Sequence, residues 1–343
     1  MIKATIPPAN EEGFLGRYAD AYQRFSWRDV EKDFTWSKTG NVNIANEAVD
    51  RWAGDRNVRD RKGLVFEKAG KVEEFTYLDL RERSSQWANL LIECGFGVGD
   101  RLFIFLTPSP ETYFVLLACA RLGVIFSPLY PNLTFDELEV RLQNAKPRGI
   151  VTHPDLVERL PVHALAGVDN IFLIEGPSLK GIPGEVIVPE VISAFPKKCA
   201  CRWVRGATPL YLMYTSGSTG PPNGVVHAHQ DMLGHLMTAK YVLNLSAKSV
   251  LWTDGDPGWV TGTAYGAFAP WLCGATTVIQ GDQFSASTWY RTLERHKVTT
   301  WYATPRTLTR LMEAGDDLPG RYDFSHLQHV CTVGETLAPE QFY

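Results

Sequence analysis

The sequence has no apolar run that approaches the length of a membrane span, and its first residues, Met1 to Pro8, lack the apolar core of a signal peptide. It also has no long basic stripe, because 34 lysines and arginines stand against 38 aspartates and glutamates, for a net charge of -4. Neither nucleic acid nor a membrane is therefore an expected partner, and we expect a cytoplasmic protein. These features leave the oligomeric state open.

Cysteine spacing typical of a zinc site or a redox pair is missing as well. Only Cys199 and Cys201, among six cysteines, lie near each other, and a single intervening residue suits neither kind of site. Reduced thiols are therefore expected. His227 and His229 also lie two residues apart, but no acidic or thiol ligands flank them at metal spacing. We interpret them as a polar cluster near the start of a helix.

What is present is the composition of an ordinary globular protein, with 45% hydrophobic and 21% charged residues in 343. Buried strands alternate with helical segments, a pattern that predicts an α/β fold with two doubly wound subdomains and mostly parallel sheets. We place an N-terminal arm at residues 1–55, a first α/β subdomain at 56–205 and a second at 206–343. A hairpin is expected over Gly63–Glu67 and Val72–Phe75.

Several helix starts carry their own signals. Thr76 with Asp79, and Thr134 with Glu137, have the spacing of capping boxes. Ser109 followed by proline combines a capping hydroxyl with a first-turn proline. These signals predict three helices of the first subdomain.

One stretch, Thr215 to Gly224, packs four hydroxyls and three glycines into ten residues. The predicted strand Leu210–Tyr214 precedes it, and a helix over Asp231–Leu243 is expected to follow. Hydroxyls and bare N–H groups donate to phosphate oxygens, and glycines let the backbone approach a ligand, so the stretch predicts a phosphate-binding loop. It is not a Walker A loop, because no lysine precedes a serine or threonine at its end. A flexible Ser/Gly loop is the alternative.

Two further polar segments, Asp254–Thr263 and Gly334–Thr336, also follow predicted strands. Ligands of such sheets bind beyond the carboxyl ends of the strands, so we expect these segments to converge with the loop on one site. Asp254 and Asp256 are better explained by turn formation than as a catalytic carboxylate pair. Trp259 forms either a ligand-facing wall or simple core. Glu335 either turns the chain or faces a nucleotide.

The sequence resembles a known family. The stretch Thr215 to Gly224 is similar to the phosphate loop of the adenylate-forming acyl-CoA synthetases, the AMP-binding enzymes. Three other segments resemble the acetyl-CoA synthetase branch in particular, and they are Trp252–Gly262, Trp301–Arg306 and Val333–Glu340. The likeness runs in order from about Phe25 to the last residue.

The resemblance implies a ligase that uses ATP, Mg²⁺ and CoA. A small carboxylic acid such as acetate would attack the α-phosphate of ATP, giving an acyl-adenylate, and the CoA thiol would then displace AMP. The implied nucleotide-binding residues are Thr215, Ser216, Gly217, Ser218, Thr219, Gly220, Gly224, Gly334, Glu335 and Thr336. Thr215 is also the implied magnesium residue, and the implied acyl pocket comprises Trp259, Val260, Thr261 and Val333. Thr215 and Thr261 are the implied catalytic residues, Thr261 beside the CoA arm.

Two departures from the family pattern lead to further expectations. Asn223 stands where the family loop usually carries a lysine, so nucleotide binding is expected to be weak. The chain also stops at Tyr343, before the hinge and the small C-terminal domain of the family, so we expect an N-terminal portion with little or no activity of its own. One alternative is a non-catalytic, truncated nucleotide- or acyl-binding homologue, and another is an adenylation domain that loads a carrier protein instead of CoA.

Overall fold

A computed structural model describes residues 17–179, 182, 184–215 and 222–341 of the chain. Two β-sheets form the framework. The bounds of their strands are β1 Lys62–Lys68, β2 Lys71–Thr76, β3 Arg101–Phe105, β4 Ile125–Leu129, β5 Gly149–Thr152, β6 Asn170–Leu173, β7 Glu185–Ile187, β8 Pro209–Thr215, β9 Asn223–Ala228, β10 Val250–Thr253, β11 Thr276–Gln280, β12 Thr300–Ala303 and β13 His329–Thr332.

The first sheet has seven strands in the order β7-β6-β5-β3-β4-β8-β9, and the second has six in the order β13-β12-β10-β11-β1-β2. Neighbouring strands are parallel except at one end of each sheet, where β8 pairs with β9 and β1 with β2 in antiparallel fashion. The predicted fold class, α/β with mostly parallel sheets, is therefore confirmed.

Helices connect the strands and cover the sheets. Their bounds are α1 Tyr18–Arg24, α2 Trp27–Glu31, α3 Trp36–Thr39, α4 Arg51–Ala53, α5 Tyr77–Glu93, α6 Pro110–Leu122, α7 Phe135–Ala145, α8 Pro154–Val157, α9 Val188–Val191, α10 Met232–Tyr241, α11 Ala269–Leu272, α12 Ala286–Arg295 and α13 Pro305–Met312, with π-helical turns over Asn46–Asp50 and Thr261–Phe268. In the described part of the chain, no helix combines the length and apolarity needed to cross a membrane.

The three predicted helix starts have the hydrogen bonds that their sequences indicate. Thr76 Oγ1 accepts from the Asp79 N–H at 3.0 Å, and Asp79 Oδ2 accepts from the Thr76 N–H at 2.9 Å, which completes a capping box for α5. Thr134 and Glu137 form the same reciprocal pair at the start of α7. Ser109 caps α6 by accepting from Glu111 N–H at 3.1 Å. Each cap satisfies backbone donors that the first helical turn leaves unpaired.

The sheets do not follow the boundary predicted between residues 205 and 206. The hairpin β1–β2, from the predicted first subdomain, joins the second sheet through parallel pairing of Leu64–Glu67 with Thr277–Gln280. Strands β8 and β9, from the predicted second subdomain, join the first sheet where Tyr211 pairs with Phe126. Pairings across such sequence separations follow from three-dimensional packing, which local patterns do not encode.

The segment after the predicted phosphate loop also differs from the expectation. It forms strand β9 antiparallel to β8, with Thr215 opposite Asn223 and Tyr214 opposite Gly224, before α10 begins. Gly224 therefore lies in a strand, not in a loop. A Cβ added to it would lie 2.9 Å from Leu212 Cδ1, so a larger residue here would require the Leu212 side chain to move.

The aromatic side chains of the N-terminal arm differ in how far they are buried against the body of the protein. Phe34 is buried, with 3% of its surface exposed, whereas Phe25 and Trp27 are about half exposed. Closer to the core, the buried guanidinium of Arg121 on α6 forms two hydrogen bonds to the Asp50 carboxylate, at 2.6 and 2.7 Å. This ion pair ties the π-helical turn that ends at Asp50 to the body of the protein.

Candidate functional site

The carboxyl ends of three adjacent strands of the second sheet are joined by hydrogen bonds. Asp254, directly after β10, accepts from the Thr304 N–H at 3.2 Å and from the Thr307 hydroxyl at the start of α13. Val333, directly after β13, donates its N–H to the Ala303 carbonyl at 3.1 Å. The segments that follow β10, β12 and β13 therefore share one edge of the sheet.

The glycine-rich loop after β10 reaches from this edge to the first sheet. Its turn is closed by Asp256, whose Oδ1 accepts from Gly258 N–H at 2.7 Å, as turn formation predicts. Gly258 lies directly against the end of β4, since a Cβ added to it would be 2.5 Å from the Tyr130 backbone nitrogen. The next residue, Trp259, has 54% of its surface exposed and its ring centroid lies 6.2 Å from that of Tyr130.

A cavity of about 280 Å³ lies where this loop meets the ends of β4 and β8, and its wall includes Tyr130, Tyr214 and Trp259. The Arg141 guanidinium of α7, which also lines the cavity, is 5.2 Å from the centre of the Tyr214 ring. Burial raises the pKa of Tyr214 to about 12, and its hydroxyl donates to Asn144 Oδ1 at 2.9 Å. Trp259 thus forms part of a cavity wall, which favours the ligand-facing interpretation over simple core.

Arg141 was not among the residues singled out in the sequence. Burial lowers its pKa, and its Nη1 donates to the Glu137 carbonyl at 2.7 Å. On α7 it stands four residues after Glu137, a spacing that also occurs in ordinary surface ion pairs. What distinguishes Arg141 from a residue of such a pair is its contact with Tyr214, which depends on the packing of α7 beside β8.

The predicted nucleotide residues occupy two places in the described structure. Thr215 is exposed at the end of β8, and its hydroxyl donates to the Asn223 carbonyl at 3.4 Å. Gly334 has a φ of +95°, and Glu335 and Thr336 line a second cavity, of about 580 Å³, beside α13. Ser216 to Gly220, the remainder of the predicted loop, lie outside the described residues, so their convergence with Gly334–Thr336 stays a prediction.

The remaining acyl-pocket residues follow Trp259 or β13. Val260 is 40% exposed, Thr261 begins the second π-helical turn, and Val333 is half-buried. The structure therefore brings Trp259 against the first sheet and keeps Val333 at the edge of the second. Their common role in an acyl pocket stays a prediction.

The two histidines beside the loop have structural environments, as their sequence context indicates. His229 is buried, its Nδ1 accepts from the Ile44 N–H at 3.2 Å, and burial lowers its pKa to about 4. The ring of His227 stacks on that of Tyr211 with centroids 4.5 Å apart. Among the described residues, no group of three or more His, Cys, Asp or Glu could hold a metal ion. The role of Thr215 beside magnesium stays a prediction.

The loop carboxyls give this site a pH dependence. Burial raises the pKa of both Asp254 and Asp256 to about 6, so between about pH 4 and pH 6 the folded chain binds more protons than the unfolded chain. Their contribution to the free energy of unfolding therefore falls as pH rises through that window. Because an amide does not ionise, the free energy of unfolding of Asp256→Asn should rise by about 1–3 kcal/mol relative to that of the parent as the pH is raised from 4 to 7.

Urea unfolding at a series of pH values measures this difference. Asp316→Asn, at an exposed aspartate, provides the matched control and should show no such change with pH. An equal difference in both variants would contradict the burial of the Asp256 carboxyl.

Two mostly parallel sheets, with the carboxyl ends of their strands meeting at a glycine-rich loop, place the chain in the class of doubly wound α/β proteins that bind ligands beyond strand ends. Within that class, the family model of the AMP-binding enzymes matches residues 49–342, and the chain belongs to this family. The resemblance found in the sequence is thereby confirmed.

Individual relatives agree with the family match. The chain is 38% identical to the acetyl-coenzyme A synthetase of Bacillus subtilis over 99% of its own length and 59% of the relative's. It is 32% identical to that of Thiobacillus denitrificans, over 97% of this chain and 55% of the relative. A crystal structure of Brucella canis acyl-CoA synthetase superposes with a TM-score of 0.86 and 25% identity, over 95% of this chain and 58% of that one. The chain thus spans somewhat more than half the length of these relatives.

Proposed function

We propose that the chain is the nucleotide- and acyl-binding portion of an AMP-forming acid–thiol ligase that activates a short carboxylic acid such as acetate. The observation that carries this proposal is the contact between Gly258 and Tyr130, which brings the glycine-rich loop of one sheet against the strand ends of the other. Membership of the AMP-binding family and the likeness to acetyl-coenzyme A synthetases support it.

Each group of residues has a role in the proposal. The hydroxyls and N–H groups from Thr215 to Gly220 bind the β- and γ-phosphates of ATP, and Gly334, Glu335 and Thr336 contact the adenine. Trp259, with Val260, Thr261 and Val333, surrounds the acid. Mg²⁺, where it is bound beside Thr215, neutralises charge on the phosphates, and the chain's own contribution is to position donors around them.

CoA is the proposed acceptor of the acyl group, with Thr261 near its thiol-bearing arm. The exposed face of Trp259 and the cavity beside Tyr130, whose wall is partly aromatic and also contains Arg141, offer a surface for such an arm. A carrier protein is the competing acceptor, and the thioester product distinguishes the two.

A second candidate, a binding protein without catalytic activity, is favoured by one specific feature. Asn223 places a neutral amide at the first residue of β9, directly opposite Thr215, where a lysine would supply a positive charge.

Acetate-dependent release of pyrophosphate from ATP tests the proposal and separates the two candidates. The Bacillus subtilis enzyme, assayed in parallel, serves as the positive control. Release by the chain that depends on acetate, with acetyl-CoA formed when CoA is added, supports ligase activity. Release only by a version extended to the full length of the relatives also supports the ligase candidate, whereas ATP binding without release in both versions supports the non-catalytic candidate. The absence of ATP binding contradicts both.

Asn223→Lys should strengthen ATP binding. A charge-assisted hydrogen bond is worth about 1.5–3 kcal/mol, so we expect the dissociation constant to fall by about 10-fold or more. Titration calorimetry measures it, with Asn57→Lys, which adds the same charge at an exposed turn elsewhere in the chain, as the control. Equal affinities in Asn223→Lys and the parent would exclude this position from phosphate binding.

A further inference from the structure

Three polar residues lie just beyond the carboxyl ends of β3, β5 and β6, which are adjacent strands of the first sheet. Phe105 of β3 pairs with Thr152 of β5, and Thr152 pairs with Leu173 of β6, all in parallel. The three polar residues are Thr107, His153 and Glu175, each one or two positions after these paired residues. The carboxyl ends of β3 and β5 flank the point at which the strand order reverses, which is where ligands of doubly wound sheets bind.

The side chains of these residues form a continuous hydrogen-bonded series. Thr107 Oγ1 lies 3.0 Å from His153 Nε2, and His153 Nδ1 lies 2.9 Å from Glu175 Oε1. In the tautomer that carries its proton on Nδ1, the imidazole donates to Glu175 and accepts the hydroxyl proton of Thr107. Both distances lie within the range that general-base activation of a hydroxyl requires.

All three residues line one cavity of about 480 Å³, and Lys68 from the end of β1 lines it too. His153 is nearly buried, at 8% exposure, whereas the Glu175 side chain is 65% exposed. The imidazole is thus held between a hydroxyl on one side and a solvent-accessible carboxylate on the other. The cavity is large enough for a small ester, and its wall carries the Lys68 ammonium together with the carboxyls of Glu111, Asp155 and Glu175.

We propose that this cavity is a second active site, which hydrolyses small acyl esters. The Thr107 oxygen attacks the ester carbonyl while its proton passes to His153 Nε2. The imidazolium then gives that proton to the departing alcohol as the C–O bond breaks, leaving an acyl group on Thr107. Water, deprotonated by His153, releases the acid and restores the Thr107 hydroxyl. The sum is ester plus water giving acid plus alcohol, and no other reactant is required.

Thr107 and His153 are the catalytic residues of this site, and Glu175 is a positioning residue that holds the imidazole in the required tautomer. A second histidine–glutamate pair on the surface provides a comparison. His163 Nε2 lies 2.8 Å from Glu139 Oε1, and His163 is 61% exposed. In that pair the carboxylate contacts Nε2 of His163. In the cavity, by contrast, Nε2 of His153 faces the Thr107 hydroxyl, and Nδ1 faces the carboxylate. The pair at His163 therefore serves as an internal control.

Hydrolysis of 4-nitrophenyl acetate by the full 343-residue chain tests the proposal. Thr107→Val and His153→Gln should each lower the rate by about 100-fold or more, because general-base catalysis contributes that much. Thr107→Ser keeps the hydroxyl and should retain activity, and His163→Gln should match the parent. Glu175→Gln should lower kcat while KM and the thermal midpoint stay unchanged, which a purely structural role would not produce.

A covalent label gives an independent readout. Diisopropyl fluorophosphate should add one phosphoryl group to Thr107, located by peptide mass mapping, and the label should be absent after His153→Gln. Circular dichroism verifies that the variants are folded, and if Thr107→Val is unfolded, the position of the label in the parent and in Thr107→Ser decides. Unchanged hydrolysis in folded Thr107→Val, labelling of another residue, or no hydrolysis above the buffer rate would overturn the proposal.

Discussion

Gly258→Ala should lower the free energy of unfolding by about 1–3 kcal/mol and weaken ligand binding at the junction of the two sheets, because overpacking displaces backbone. The added Cβ would lie 2.5 Å from the Tyr130 nitrogen and 2.8 Å from its Cα, so one of the two segments must move. Trp259 would move with the loop, changing the cavity that it shares with Tyr214. Urea unfolding measures the stability, and quenching of tryptophan fluorescence by ATP reports binding.

Gly234→Ala is the matched control for this change. Gly234 lies within α10, and a Cβ added there meets no atom within 4 Å. Alanine is favoured over glycine inside a helix, so the control should be neutral or slightly more stable. Equal stability of the two variants would mean that the loop and β4 are not in close contact in solution.

The largest effect on stability is expected from Arg121→Met, at about 3–5 kcal/mol, because it leaves a largely buried carboxylate without its partner. The Arg121 side chain is 1% exposed and that of Asp50 is 18% exposed. The Arg121 guanidinium also donates to the Cys199 carbonyl at 2.9 Å and to the Ser84 hydroxyl at 3.2 Å. Chemical unfolding of the parent and the variant gives the difference.

Two further variants separate the buried charge from other causes. Asp50→Asn combined with Arg121→Met removes both charges and should recover part of the lost stability. Lys62→Met breaks an exposed ion pair with Glu74 and should cost at most about 1 kcal/mol. A loss in Arg121→Met as small as that in Lys62→Met would show that the buried pair contributes little.

Local signals in the sequence predicted the parts of the fold that local hydrogen bonds decide. The caps at Thr76, Ser109 and Thr134 are examples, because each is completed within two or three residues. The turn at Asp256 and Gly258 is another, since one side chain closes it. Such features depend little on what the rest of the chain does.

Which strands pair with each other across long sequence separations was not predicted from the sequence. The pairing of β1 with β11 joins residues more than 200 positions apart, and nothing in either strand specifies the other. Strand β9 was missed because its register, with Gly224 opposite Tyr214, is set by β8. The relation of His153 to Thr107 and Glu175 depends on three strands lying in register, which the order of the strands along the chain does not show.

We propose that the segment after β13 contacts the adenine of the nucleotide whose phosphates the hydroxyl-rich stretch after β8 binds. Photolabelling with 8-azido-ATP, followed by tryptic digestion and mass spectrometry, tests it most directly. Gly334–Thr336 lie in the tryptic peptide that follows Arg321. We expect this peptide to carry the label and excess ATP to prevent labelling. A label confined to other peptides, or labelling that excess ATP does not prevent, would show that Gly334–Thr336 do not contact the nucleotide.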